Sequence, residues 1–246
     1  MLSILYYLFL SLLCTFFIIV SALTLAVTWP FDKARKAVHT LSRWLVRIFF
    51  AIPPRWKMRV IGGENADPAK TYVIVLNHQT VLDIPSLYLL PLNFRWVSKR
   101  EVFKVPFFGQ LLWLHGDICI NRGRAAEAMN QLLREGSMWL RRGASVAIFP
   151  EGTRSRDGAI NRFKAGAFTL AKETGTAILP VVVEGSTTFI KPRTMLFNWR
   201  NRLTLRVLPA VPAERVAAED PKTVMEEVRE AMIAAQQEVR AESRNV

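Results

Sequence analysis

Apolar residues dominate the first part of this chain without interruption and then fall into short, regular blocks. No charged side chain occurs between Met1 and Phe31; the first is Asp32. Leu2 to Trp29 is 28 residues, which as a helix would reach about 42 Å against a hydrocarbon layer of about 30 Å. Such a segment can cross a bilayer if tilted, or enter one leaflet and turn at Pro30. A secretory leader would carry a basic start and a small-residue cleavage site, and neither is present. From Lys33 to Ile52 the period changes. Ala37, Val38, Leu41, Trp44, Leu45, Ile48, Phe49 and Ile52 recur at helical spacing, with Lys36, Thr40, Arg43 and Arg47 on another face. That pattern predicts a basic amphipathic helix lying in a membrane interface.

Beyond residue 57 the blocks alternate. Short apolar or β-branched runs predict strands at Met58–Ile61, Tyr72–Leu76, Phe94–Val97, Ile118–Ile120, Ser145–Phe149, Ile178–Val183 and Leu203–Val207. Helical patterns fall between most of them, at Pro85–Leu90, Pro106–Leu114, Arg124–Arg141 and Lys164–Thr174, with Gly143 and Gly175 placed as C-terminal stops. Asp220 and Pro221 open a last helix whose apolar stripe is Val224, Val228, Met232, Ala235 and Val239, a pattern that predicts peripheral packing and no chemistry. Alternating strands and helices predict an α/β fold with a largely parallel central sheet flanked by helices. Runs such as AILPVVV, apolar on both faces, belong in its middle. The chain thus divides into a membrane-anchoring helix pair at residues 1–56 (apolar 2–29, amphipathic 33–52) and an α/β domain at 57–246.

Composition sharpens this once it is split by position. Hydrophobic residues make up 51% of the chain, and 33 Lys and Arg against 20 Asp and Glu give +13. Residues 30–60 hold eight basic residues and one acid, so +7 of that surplus lies just after the uncharged run. An anionic partner is implied, and its position favours a phospholipid surface over nucleic acid. If the apolar helix spans, the positive-inside rule leaves the rest of the chain in the cytosol. Cys14 and Cys119 do not make a secreted disulfide framework, which fits a reducing compartment.

Several familiar chemistries have no signature here: there is no Walker A sequence, no GxGxxG after a strand, no GxSxG elbow, no HExxH and no CxxC. His39, His78 and His115 are far apart in sequence, so a metal cluster has no local support. What is present is VLNHQTVLD, where an apolar strand ends in Asn77 and His78 and Asp83 follows five residues on. A continuous helix would hold the two about 140° apart. Pro85, however, suits a first helical turn and disfavours helical geometry at Ile84. Asp83 would then lie just before a helix, close enough to fold onto the imidazole. A carboxylate on one ring nitrogen fixes the tautomer and leaves the other as a base. Asp83 as a simple helix cap beside a surface His78 would explain the same spacing. A second cluster follows the strand Ser145–Phe149: Glu151, Gly152, Thr153, Arg154, then Arg162 and Lys164. A carboxylate, a permissive glycine, a hydroxyl and cations at a strand's end suit a phosphate-bearing polyol. A third, Gly116 to Arg124, adds cations after another strand.

NHQTVLD, GDICINR, FPEGTRS and ILPVVVEG, in this order and spacing, resemble the four motifs of the glycerolipid acyltransferases, most closely the bacterial branch that acylates 1-acyl-glycerol-3-phosphate. The resemblance covers roughly residues 58–190, and Asn121 departs from the Asp that many members carry. It implies a catalytic His78 and Asp83, acceptor binding by Arg122, Glu151, Gly152, Thr153 and Arg154, and a basic Lys99 near the reacting thioester. It also implies acyl transfer from acyl-CoA or acyl-carrier protein to the sn-2 hydroxyl of lysophosphatidate, at a bacterial inner membrane with the catalytic domain on the cytoplasmic side. The acyl donor is a substrate; no bound cofactor and no metal are expected. A glycerol-3-phosphate or other lysophospholipid acyltransferase would use the same base. A non-enzymatic membrane-surface scaffold would explain the anchor and the charge, but not His78, Asp83 and the Glu151 loop together.

Overall fold

The computed structural model describes residues 2–121, 123–155, 157–190, 194 and 196–244. The strands are β1 (Trp56–Ile61), β2 (Val73–Leu76), β3 (Phe94–Lys99), β4 (Ile118–Ile120), β5 (Ser145–Ile148), β6 (Ile178–Glu184) and β7 (Asn201–Val207). The helices are α1 (Leu2–Thr28), α2 (Lys36–Ala51), α3 (Asp83–Ser86), α4 (Phe108–His115), α5 (Ala125–Arg141), α6 (Gly166–Thr174), α7 (Ala213–Ala218) and α8 (Pro221–Arg244). All seven strands form one sheet in the order β1-β7-β6-β2-β5-β3-β4, parallel at every junction except β6–β7. The predicted α/β class and largely parallel sheet are therefore present.

Apolar runs without alternation become the central strands because both faces of the sheet are covered. Val73 and Val75 of β2 point into a core shared with α5, α6 and α8, while Ile74 and Leu76 point into the opposite core with Tyr6, Val46 and Phe50 from α1 and α2. Each fully buried side chain of this size contributes about 1.5–3 kcal/mol. Gly143 and Gly175 adopt positive φ after α5 and α6, as stop residues should.

Two helices begin elsewhere than the sequence pattern predicts. Asp83 does not precede its helix but opens it, and Ile84 is helical rather than extended. Pro85 tolerates this because the N–H it lacks is one that the first turn cannot pair internally. The predicted helix from Pro106 starts at Phe108, after Phe107 at a positive φ of 64°. A short 3₁₀ turn at Arg100–Lys104 precedes it, and it packs so closely that a Cβ on Gly109 would meet the Phe103 carbonyl.

At the N-terminus, α1 is the one helix among the described residues long and apolar enough to cross a membrane. Its partner α2 is of a different kind. Asp32 caps it by accepting the Lys36 and Ala37 N–H groups at 2.9 and 2.8 Å, and Val38, His39, Val46 and Phe50 are buried in the protein. Only part of its apolar face, Trp44 among it, is exposed, so the predicted membrane-anchoring pair is instead one long apolar helix and a second helix docked on the protein through its buried face. Tyr6 of α1 donates to the Phe49 carbonyl at 2.6 Å and meets Trp56, Phe197 and Trp199 edge-on.

The docking of α2 also joins two of the three histidines that lie far apart in sequence. His39 Nδ1 is 2.8 Å from His115 Nε2, and His115 Nδ1 donates to Asp117 Oδ1 at 2.7 Å. Arg95, fully buried over the Trp139 ring, lies 3.2 Å from His115 Nε2 and also donates to the Phe94 and Ala34 carbonyls. Burial holds both imidazoles well below the usual histidine range, with Arg95 adding to the effect, while burial pushes the Asp117 carboxyl up to about 7. Two neutral rings passing hydrogen bonds to one carboxylate make a docking contact, and among the described residues no three or more His, Cys, Asp or Glu side chains are placed to hold a metal ion.

Candidate active site

In an open parallel sheet, ligand-binding residues gather beyond the carboxyl ends of the strands. Here β2, β5 and β3 are neighbours in the sheet, and each ends in a predicted site residue. His78 follows β2, the Glu151 loop follows β5, and Lys99 closes β3. They line one open cleft of about 770 Å³, together with Gly152, Thr153, Arg154, Ser155 and an apolar wall that includes Val81, Ile84, Val97 and Phe108.

The histidine is held from several sides. Its Nδ1–H donates to Asp83 Oδ2 at 2.9 Å. The same oxygen accepts the backbone N–H groups of Gln79 at 2.6 Å and Thr80 at 2.7 Å, so the tight turn wraps around a carboxylate with no solvent exposure. The imidazole stacks on Phe149 at 3.9 Å and 14°, and Phe149 stacks in turn on Trp96. Tautomer and ring plane are thereby fixed, and Nε2 carries the lone pair with no hydrogen-bond partner among the described residues. Asn77 ties the strand end in place, exchanging two hydrogen bonds with the Val183 backbone at 2.7 and 2.9 Å.

Glu151 stands one step behind the cleft. Its Oε1 accepts the His78 backbone N–H at 2.8 Å, and its Oε2 accepts the backbone and side-chain N–H groups of Asn161, both at 2.9 Å. With only 5% exposure, both oxygens are occupied by the protein itself. Gly152 takes φ +74, and a Cβ there would come within 3.0 Å of Lys164 Nζ. The turn therefore needs glycine for its backbone and for the lysine stem beside it. Thr153 and Arg154 are exposed in the cleft, as is Lys99. Arg122 lies outside the described residues. The structure thus brings His78, Asp83, Lys99, Glu151, Gly152, Thr153 and Arg154 to one place.

Sequence reading did not single out Phe149, Asn161, Gln79 or Glu184 for a part here. Nor did it give one to α8, which reaches the same loops through Gln236 and Arg240. Phe149 and Glu184 lie within or beside quoted motifs, so their position was a signal; Asn161 and α8 offered none.

A second, nearly all-apolar chamber of about 240 Å³ shares Val81, Ile84 and Phe108 with the cleft. It runs between α1, α2 and α4, with Leu10, Phe49 and Leu111 on its walls.

Known proteins resemble this chain in sequence and in fold. The family model for acyltransferases matches residues 57–184. A chloroplastic 1-acyl-sn-glycerol-3-phosphate acyltransferase of Arabidopsis thaliana is 34% identical over 70% of this chain and 48% of its own length. The human enzymes of that name, alpha and beta, are 31% and 32% identical over 76% and 77% of this chain and 66% and 68% of their own. The chain thus spans about half to two thirds of the length of these relatives. The crystal structure of the 1-acyl-sn-glycerophosphate acyltransferase from Thermotoga maritima superposes with a TM-score of 0.67 at 22% identity, covering 97% of this chain and 98% of that one, which shows a shared fold. The chain belongs to the acyltransferase family.

Proposed function

We propose that this protein moves a fatty acyl group from the thioester of acyl-CoA or acyl-carrier protein to the sn-2 hydroxyl of 1-acyl-glycerol-3-phosphate, forming phosphatidic acid. The observation that carries the reading is the His78–Asp83 pair, with an unpaired Nε2 in a cleft whose rim holds Arg154 and Lys99. The substrate class follows from the activity that the relatives are named for.

His78 Nε2 takes the proton of the acceptor hydroxyl as its oxygen bonds to the thioester carbon, a step worth about 10² to 10⁴-fold. Asp83 stabilises the imidazolium that forms. The carbonyl electrons move onto oxygen, where Lys99 is the candidate donor; one such contact is typically worth about 2.7–4 kcal/mol. On collapse the C–S bond breaks, and His78 returns its proton to the leaving thiolate. No side chain needs to carry the acyl group, so transfer is direct. Arg154 and Thr153, with Arg122 by resemblance, meet the acceptor phosphate, while Glu151 holds the turn behind them. The thioester brings the activated acyl group, so the reaction needs no resident cofactor.

The apolar chamber continues from the cleft toward α1 and α2, and its lining suits the donor's hydrocarbon chain. Ser3, Tyr6, Phe17 and Ser21 are buried along α1, so one flank of the helix rests on the protein for most of its length. A helix docked in this way sits in one leaflet more readily than it crosses away from its domain, and α2 adds Trp44, Arg43 and Arg47 for the lipid surface. Substrate and product both carry acyl chains, so the cleft works at the membrane face. The test is to mix the purified protein with labelled acyl-CoA or acyl-carrier protein and a panel of lysolipids, then resolve the products. Labelled phosphatidic acid is expected; no product from lysophosphatidate with either donor overturns the reading.

A further inference from the structure

On α8, Arg229, Gln236 and Arg240 are seven and four residues apart, a spacing that puts all three within about 40° on one face of the helix. That face lies against the protein, with Gln236 buried and the two arginines part-exposed. Arg229 donates to the Asn161 and Ile160 carbonyls at 3.0 and 3.4 Å. Gln236, only 3% exposed, donates to the Gly158 carbonyl at 3.0 Å and to Glu184 Oε2 at 2.9 Å. Arg240 donates to the same carbonyl at 2.7 Å and pairs with the same carboxylate oxygen at 3.1 Å. One more side chain reaches these two acceptors: Gln79, whose Nε2 lies 3.2 Å from the Gly158 oxygen and 3.1 Å from Glu184 Oε2. Ser186 holds the other end of that amide at 3.3 Å.

Gln79 is the residue between His78 and the rest of the catalytic turn, and its backbone N–H is one of the donors to Asp83. Gly158 lies on the return limb of the loop that carries Arg154. It takes φ +78, and a Cβ there would stand 3.0 Å from Arg240 Nη2, so the limb runs directly against the helix. One carboxylate and one carbonyl therefore join the base's turn, the acceptor loop and the C-terminal helix. Arg240 is the cation paired with Glu184 at this junction.

We infer that Gln236 and Arg240 of α8 are positioning residues for acyl transfer, setting the His78 turn through Gln79 and the acceptor loop through Gly158. The inference rests on the proposed function, which gives the His78 turn and the Arg154 loop their roles. Neither side chain touches the cleft, so the effect must pass through Gln79 and Gly158.

The experiment compares wild type with Arg240→Ala, Arg240→Lys and Gln236→Leu, full-length and in lipid, following kcat and both KM values along with the melting temperature. Loss of Arg240 or Gln236 should raise the acceptor KM and lower kcat, each by at least about tenfold, because small misplacements of reacting groups are costly. The donor KM should stay within about twofold. Arg240→Lys, which keeps the charge, should recover part of kcat. Met232→Ala, which opens a cavity on the apolar face of the same helix, should lower the melting temperature and leave the acceptor KM in place. Unchanged kcat and acceptor KM in folded Arg240→Ala and Gln236→Leu would overturn the inference. So would equal shifts in both KM values, or a Met232→Ala variant that reproduces the kinetic pattern. If Arg240→Ala does not fold, Gln236→Leu and Arg240→Lys decide by the same criteria. A wild type that forms no phosphatidic acid counts against the function, whereas an active wild type with indifferent variants counts against α8 alone.

Discussion

Asp83→Asn keeps the shape of the His78 turn and removes one charge. In the native protein a single carboxylate oxygen accepts from His78 Nδ1 at 2.9 Å and from the Gln79 and Thr80 N–H groups at 2.6 and 2.7 Å. An asparagine can offer its carbonyl oxygen to the same three donors, so the turn should persist, at a cost of about 1–3 kcal/mol as charge-assisted bonds become neutral ones. On the proposed mechanism the larger loss comes only when His78 takes the substrate proton. An imidazolium with its charge about 4 Å from a carboxylate gains about 4 kcal/mol at an effective dielectric of about 20. Without that attraction the barrier rises by a similar amount, and about 1.4 kcal/mol per tenfold puts the fall in kcat near 10³.

Because this contribution arises after both substrates are bound, neither KM should move by more than about threefold. The assay is steady-state acyl transfer to lysophosphatidate in mixed micelles, with the melting temperature followed in parallel. A folded Asp83→Asn protein whose kcat stays within about tenfold of wild type would refute the reasoning, since an imidazolium would then form without its carboxylate. An unfolded variant would show that the turn needs the charge more than the bond count indicates. In that case Asp83→Glu, which keeps the charge and displaces it, should fold and lose kcat.

Arg154→Ala should raise the acceptor KM by about tenfold or more while the donor KM holds, since the proposed function sets this exposed cation of the cleft rim against the acceptor phosphate; an unmoved acceptor KM removes it from the phosphate site. Leu111→Phe fills part of the apolar chamber and should shift the product toward shorter chains, with each excluded methylene worth about 0.8 kcal/mol or roughly fourfold. An unchanged product distribution by mass spectrometry would mean that the acyl chain lies elsewhere. His39→Phe tests the buried histidine pair by pH. Burial, with His115, Arg95 and Arg43 nearby, holds the native imidazole neutral, whereas the unfolded chain takes up a proton below about pH 6.5. Wild type should therefore lose stability as pH falls from 7 to 5, and the variant should lose less, by up to about 1.4 kcal/mol per pH unit. Asp117 is present in both proteins, so its opposing contribution largely cancels; equal slopes in chemical denaturation would contradict a neutral buried His39.

The parts of this protein that were legible in its sequence are those whose cause is local. A strand buried on both faces must be apolar throughout, so Val73–Leu76 and Ile178–Val183 announce both their type and their place in the sheet. Reactive groups at strand ends follow from the same logic, which is why His78, Lys99 and the Glu151 loop can be expected together. The illegible parts are those whose cause lies across the sheet. His39 and His115 are 76 positions apart, and only the docking of α2 makes them neighbours. Glu151 shows the same limit in another form. Its residue type suits either a substrate contact or a buried acceptor for backbone N–H groups, and the choice depends on Asn161 and the His78 N–H, which come to it only in the fold. On α8 the apolar stripe was visible, but a polar residue beside such a stripe normally faces water. Gln236 does not, and Arg240 does so only in part, because a loop and the end of β6 lie over that face with a carbonyl and a carboxylate to satisfy. A periodic pattern therefore fixes which face of a helix is apolar, while the role of the polar face is decided by what the topology lays against it; here that is the loop that carries Arg154.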